Sequence, residues 1–333
     1  MVGYAQMRRW GAMRVSTEYK LWNGLIRNGH NVLHFSDRDM AAFLAPFGLR
    51  DLGVGRMNRR LIETAENFRP DMILLGHCDL VSNDTLAAIR RKLPDIRIAY
   101  RNVDPLFVPK NVDAIHRRTD TVDAIFITTG GKKLDPFRGK RASIHYMPNP
   151  CDPAVETLDN SRRDDLPVDL FFCGNSDEHT ERTKTVEFLK EALDGKLVFR
   201  TPGYFGEPNV WGADYDALLS QSKMGLNLNR QEDYHYSSAR LAQLMGNGIL
   251  AFIDRTGHLD ELIPEDCAAY YDDHEDLLRQ IRHFAGDDSS RRSVAAEGRR
   301  LYTTRFSAEN ISRYIIEKTF HSATSGEHSW HGE

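Results

Sequence analysis

Short apolar runs of strand length alternate with amphipathic helical stretches along almost the whole chain, and this alternation is the feature that most constrains its fold. Asp71-Met-Ile-Leu-Leu-Gly76, Ala124-Ile-Phe-Ile-Thr128, Val168-Asp-Leu-Phe-Phe-Cys-Gly174 and Ile249-Leu-Ala-Phe-Ile253 are such runs, each with few polar residues. A strand with one wet face alternates apolar and polar residues. A strand that is apolar throughout has both faces covered, which is the condition of a parallel sheet between helices. The chain is therefore expected to be α/β. Its 333 residues exceed one typical domain and accommodate two of about 150, each large enough to bury a core.

The pattern predicts strands over 2–4, 31–35, 71–76, 96–100, 124–128 and 143–147 in the first half, with helices over 17–28, 57–67 and 83–93. Asn83 or Asp84 is placed to cap the last of these. Pro148-Asn-Pro-Cys-Asp-Pro153 stops any regular element, and the polar stretch that follows to Pro167 reads as a linker. Strands over 168–174, 196–199, 224–228, 249–253 and 268–271 follow, with helices over 182–192, 274–284, 291–303 and 308–319. The domains are expected at 1–153 and 154–306, with a closing helix at 307–321 and a loose polar tail at 322–333.

Composition excludes several classes. Apolar residues make up 41% and charged residues 28% of the chain, an ordinary globular balance. A net charge of −4 argues against a nucleic-acid partner, because tracking a polyphosphate needs a basic excess. Cys78, Cys151, Cys173 and Cys267 form no C-x-x-C pair, so buried thiols in a reducing compartment are expected rather than disulfides or a zinc set. No apolar run approaches the ~18 residues of a membrane span, and residues 1–9 lack a basic-then-apolar signal region. A cytoplasmic location without a transmembrane segment is expected.

Ser222-Lys-Met-Gly-Leu-Asn-Leu-Asn-Arg230 reads as a buried strand leaving into a polar, aromatic-rich loop that ends at Tyr236. Ser237 and Ser238 then open a short helix that stops at Gly248. Ligands of open α/β sheets bind at the carboxyl ends of strands, and a helix N-terminus presents free N–H groups and a positive dipole end to an anion. Asn229, Arg230, His235, Ser237 and Ser238 become candidate ligand contacts on that ground. Leu241, Leu244 and Met245 face the sheet, which leaves Arg240 and Gln243 together on another side. An arginine in a first helical turn opposes the dipole unless an anion is near. The alternative is a surface arginine paired with Glu232 or Asp233.

The segment from Tyr215 to Ser312 resembles the C-terminal lobe of the CgeB-like glycosyltransferases, a group related to a large retaining glycosyltransferase family with a glutamate-x7-glutamate motif. The resemblance rests on Ser222-Lys-Met-Gly-Leu-Asn-Leu-Asn, Arg240-Leu-Ala-Gln-Leu-Met-Gly-Asn-Gly, Leu259-Asp-Glu-Leu-Ile, Tyr270-Tyr-Asp-Asp-His-Glu-Asp and Gly298-Arg-Arg-Leu-Tyr. It implies a GT-B fold, that is, two Rossmann-like doubly wound domains facing a cleft, and transfer of a sugar from a nucleotide-sugar donor to a glycan, protein or small-molecule acceptor. Arg240 matches the family arginine of the donor helix. Gln243 and His235 stand where the two motif glutamates fall, and both are departures that leave the nucleotide preference open.

The turn Cys173-Gly-Asn-Ser-Asp-Glu-His-Thr-Glu-Arg182 resembles the family's strand end, which makes Gly174, Asn175, Arg182 and Lys184 candidates for the diphosphate. Tyr204 and Trp211 lie where the family places loops around the base. On the acceptor side the family geometry marks His77, Asn102, Asp104 and the loop 6–14, with His77 or Asp104 as base if the enzyme inverts. Retention is the outcome the relationship favours. Metal-independent transfer without a cofactor is expected, with cationic side chains stabilising the leaving diphosphate. The rival readings are a noncatalytic nucleotide-sugar binder and a nucleotide-sugar epimerase of the same architecture.

Overall fold

A computed structural model describes residues 1–5, 16–174, 180–321 and 330. The chain forms two compact units: Met1–Pro148 together with Ala308–Glu333, and Asn149–Ser307. In unit 1 the order is α1 (Thr17–Arg27), α2 (Asp37–Leu44), α3 (Arg50–Phe68), β1 (Met72–Leu75), α4 (Asn83–Lys92), β2 (Arg97–Asn102), α5 (Pro109–His116), β3 (Ala124–Ile127) and β4 (Ser143–Tyr146). The four strands pair in parallel in sequence order. The strands expected over 2–4 and 31–35 shrink to single bridges, in which Val2 joins Leu75 on one side and Phe35 on the other, both parallel.

Three helices of unit 1 go beyond the sequence reading, and α2 is absent from it altogether. α3 starts seven residues before the expected 57, because tertiary packing overrides the low helix propensity of Gly53 and Gly55. α5 opens on Pro109 at its first turn, where the missing N–H costs nothing. The cap of α4 also differs from expectation: Ser82, not Asn83 or Asp84, accepts the Thr85 N–H at 3.1 Å.

In unit 2 the order is β5 (Val168–Phe171), α6 (Glu181–Ala192), β6 (Phe199–Arg200), α7 (Gly212–Leu219), β7 (Ser222–Asn227), α8 (Ala239–Gly246), β8 (Leu250–Asp254), β9 (Ala269–Tyr271), α9 (His274–Gly286) and α10 (Asp288–Thr304). The sheet runs β6-β5-β7-β8-β9, all parallel. Its core joins Leu170, Phe172, Met224, Leu226, Leu250 and Phe252 to Leu189, Leu277 and Ile281 from the helices. The polar stretch 149–167, read as a linker, is built into this unit. Asn160 is fully buried and donates to the Leu219 and Ser222 carbonyls at 2.8 Å each, and buried Arg291 donates to the Arg163 carbonyl at 2.8 Å.

The last helix, α11 (Ala308–Phe320), is part of unit 1. Asn28 donates from the end of α1 to the Glu309 carbonyl and Ser312 Oγ at 2.9 Å, and the Tyr314 hydroxyl donates to the Tyr146 carbonyl at 3.2 Å. Most of the tail expected to be loose lies outside the described residues. Trp330 within it is buried, with its ring 5.5 Å from that of Tyr314. No helix among the described residues is long and apolar enough to cross a membrane. The four cysteines are free thiols, three of them buried.

Candidate active site

The strand order of unit 2 reverses at β5, which pairs with β6 on one side and β7 on the other. The carboxyl ends of strands at such a reversal diverge and leave room for a ligand. Arg240, in the first turn of α8, lies across this point. Its Nη1 donates to the Leu228 carbonyl beyond β7 at 3.0 Å, and its Nη2 donates to the Cys173 carbonyl beyond β5 at 3.3 Å. The guanidinium also covers the face of Phe172, 4.8 Å from the ring centroid, and donates to Ser238 Oγ at 3.4 Å. No carboxylate among the described residues forms an ion pair with it.

Burial lowers the Arg240 pKa, and the like charge of nearby Arg182 lowers it further, against opposing contributions from Tyr215 and Cys173. Arg182 is 8% exposed and belongs to the first turn of α6, whose N-cap Thr180 accepts the Thr183 N–H at 3.2 Å. Two guanidiniums held near each other in partly dry surroundings repel one another and attract an anion. Gly174 precedes both of them in sequence. Its carbonyl meets Gly203, which sits at φ +91° and where a Cβ would stand 2.1 Å from that oxygen, so the two loops touch backbone to backbone.

The other expected donor contacts divide. Gln243 accepts the Tyr215 hydroxyl at 2.8 Å, an arrangement that depends on α7, which the sequence reading missed. Asn229 is buried and donates its amide to Glu232 Oε2 at 2.8 Å and to the Tyr236 carbonyl at 3.3 Å. Ser237 is buried, and its carbonyl accepts from Asn149 at 2.9 Å. Ser238 is the N-cap of α8 but makes no side-chain cap bond. Arg230 is exposed. Asn175 and the loop 6–14 lie outside the described residues.

Three expectations are corrected. Tyr204 is 2% exposed and packs its ring against Phe172 in the core, which leaves it no face for a base; of the two aromatics singled out, Trp211 is the exposed one, at 73%. Lys184 is exposed and bonded to Glu181 at 2.6 Å on the surface of α6. The His235 ring is 1% exposed, stacks on Tyr234, and meets Glu261 Oε2 at 3.1 Å, so it braces the loop from within. Burial lowers the His235 pKa against the pull of Glu261. The sequence reading weighed Glu232 only as a surface partner for arginine. Instead it accepts from the Asn229 N–H and side chain, and burial pushes its pKa up to about 7.

Unit 1 gathers a second group at the carboxyl ends of β1 and β2. His77 Nδ1 lies 3.5 Å from Asp104 Oδ2, and both side chains are about two-fifths exposed, at 39% and 43%. Asn102 Oδ1 accepts the Asp104 N–H at 2.8 Å and fixes that turn. Beneath them Arg101, 2% exposed, is ion-paired with buried Glu18 of α1, and Glu18 also accepts the His77 N–H at 3.3 Å. Burial alone would raise the Glu18 pKa; Arg101, with help from His77, outweighs it and holds the carboxyl below its usual range. Glu18 and Arg101 escaped the sequence reading because nothing local links residues 83 positions apart. A separate apolar cavity of about 540 Å³, lined by Leu25, Leu61, Phe68 and Phe320, lies toward the amino end of β1, away from these groups.

Residues 182–317 match the protein family described as Glycosyl transferase-like. No curated protein matches the chain. Among solved structures, Anabaena HepE in complex with UDP and glucose is similar with a TM-score of 0.58 at 12% identity, over 96% of this chain and 98% of that one. A glycosyltransferase from Rickettsia africae gives 0.58 at 10% identity over 96% and 97%. Sucrose-phosphate synthase from Thermosynechococcus elongatus gives 0.57 at 12% identity over 90% and 91%. At these identities the likeness is one of fold: the chain has the GT-B fold of glycosyltransferases.

Proposed function

We propose that the chain is a cytoplasmic glycosyltransferase that moves a sugar from a nucleotide-sugar donor to a hydroxyl of a glycan, protein or small molecule. Unit 2 holds the donor. The observation that carries the proposal is Arg240, a guanidinium laid across the reversal of strand order beside a second arginine and without a carboxylate pair among the described residues. A diphosphate offsets both the desolvation and the repulsion of those cations, and the same charges stabilise the phosphate oxygens as the sugar leaves. Transfer therefore needs no metal ion. The family match over 182–317 supports the transferase class, and the UDP held by HepE supports a uridine diphosphate donor.

Retention at the transferred carbon follows from the resemblance to retaining families. A second reading is favoured by the pairing of His77 with Asp104. A carboxylate at Nδ1 leaves Nε2 of the imidazole to take the acceptor proton, and base-assisted attack inverts the carbon. Incubating the full chain with a panel of UDP-, GDP- and ADP-sugars tests both levels. UDP-sugar-dependent thermal stabilisation with transfer or slow hydrolysis, surviving a chelator, is the expected result. Isomerised sugar would mark an epimerase, and stabilisation without turnover a binding protein. The anomeric configuration of the product separates retention from inversion. Under inversion His77→Ala lowers kcat by about 10²- to 10⁴-fold with UDP affinity unchanged.

A further inference from the structure

Unit 1 carries an apolar tip far from the groups described above in sequence and in role. α2 and α3 form a helical hairpin, and around its turn Phe43, Phe47, Leu49 and Leu52 are 81%, 97%, 58% and 62% exposed. The hairpin does not need them for its own packing, since Ala41, Gly53, Met57 and Leu61 already form its buried stripe. Gly53 lets the two helices touch: a Cβ there would stand 1.8 Å from the Ala41 carbonyl oxygen. The base is tied to the loop after β1. Arg38 pairs with Asp79 at 2.7 Å, and Asn58 donates to the Leu80 carbonyl at 2.9 Å and accepts the Ser82 N–H at 3.1 Å. The tip is thus a rigid projection, and Phe47 sits on it at φ 53°, a left-handed conformation that few phenylalanines adopt.

The charge beside this tip is predominantly positive. Residues 50–60 carry Arg50, Arg56, Arg59 and Arg60 against Asp51 alone, in a chain whose net charge is −4. Leu52, Arg56 and Arg59 follow one another at i, i+4 and i+7, so the apolar end and the guanidiniums share a stripe of α3. A convex aromatic tip is buried only by a partner pocket cut to its shape or by a fluid apolar phase. A second copy is disfavoured, because a two-fold contact would set the arginines against each other. Apolar side chains at the end of a stripe and arginines one to two turns above match the depth profile of a bilayer surface, with acyl chains below and phosphates at the level of the guanidiniums.

We propose that the hairpin over residues 43–60 anchors the protein to an anionic phospholipid bilayer. Phe47, Leu49 and Leu52 enter the acyl boundary, and Arg56 and Arg59 bind the headgroup phosphates. This holds whatever unit 2 transfers. Flotation of the full chain with phosphatidylcholine vesicles, and with vesicles that also contain phosphatidylglycerol, tests it. Binding to the anionic vesicles alone, released by high salt, is expected. Combined F47S, L49S and L52S should weaken that binding about tenfold or more, as should combined R56E and R59E, with melting temperature unchanged. Phe47→Trp should shift its emission to the blue on the anionic vesicles, a readout that does not require the multiple variants to fold. Failure to float with anionic vesicles would overturn the proposal. So would wild-type flotation by the triple apolar variant, or a dimer in solution that this variant converts to monomer without any vesicle binding.

Discussion

Each unit places a charged group where its strand order reverses, and the two groups are built in opposite ways. In unit 1 Val2 lies between Phe35 and β1, so the reversal falls beside His77; in unit 2 it falls beside Cys173 and Leu228. The cation of unit 1, Arg101, is almost fully buried and neutralised by Glu18, and the outward side chains are an imidazole and a carboxylate. The cation of unit 2, Arg240, rests on two carbonyls and an aromatic face, with Arg182 adding a like charge. A cation neutralised within the fold orients its neighbours. A cation left with carbonyl dipoles alone retains most of its field for a ligand.

The largest effect that tests this contrast is on stability. Arg101→Met strands Glu18 as a buried charge and should cost about 3–5 kcal/mol in urea unfolding while leaving UDP affinity unchanged. Adding Glu18→Gln should recover a large part of that loss; a double variant as unstable as the single one would break the comparison on the unit 1 side.

The next effect is on binding. Arg240→Ala removes charge-assisted bonds worth about 1.5–3 kcal/mol and should weaken UDP about 10- to 100-fold in calorimetry, with the unliganded melting temperature nearly unchanged. Unchanged affinity would remove Arg240 from the site.

The smallest effect is a pH dependence. Burial holds Glu232 at about 7, above the ordinary 4.5, so the folded state favours its protonated form. The stability this contributes is complete below about pH 4.5 and is lost as pH rises through 7. Glu232→Gln should therefore be more stable than the wild type at about pH 8, by about 1–2 kcal/mol, and gain nothing near pH 4.5. A difference that does not change with pH would show that the carboxyl is not desolvated in the loop.

Much of the architecture was legible because burial on both faces writes itself into composition. The strands over 71–76, 124–128, 168–174 and 249–253 were predictable from continuous apolar runs, and their parallel pairing follows from the helices between them. Val2 and Phe35 were less legible, since single bridges leave too short a pattern to separate a strand from a turn. Arg240 was legible because a first-turn arginine conflicts with the helix dipole. Lys184 and Tyr204 misled for the converse reason: a lysine and a tyrosine near a glycine turn look alike in sequence whether they face a ligand, a surface glutamate or the core.

By itself the sequence determined the class of fold, the number of sheets and the position of α8, because periodicity and backbone capping are local properties that neighbouring residues share. Only the tertiary structure decided which polar groups neutralise one another. Glu18 reaches Arg101, Asn160 spans to Leu219 and Ser222, and Tyr215 takes up Gln243, each across residues that carry no mutual signal. Electrostatic partnership depends on distance and dielectric in three dimensions, and strand order, which the sequence pattern leaves open, sets both.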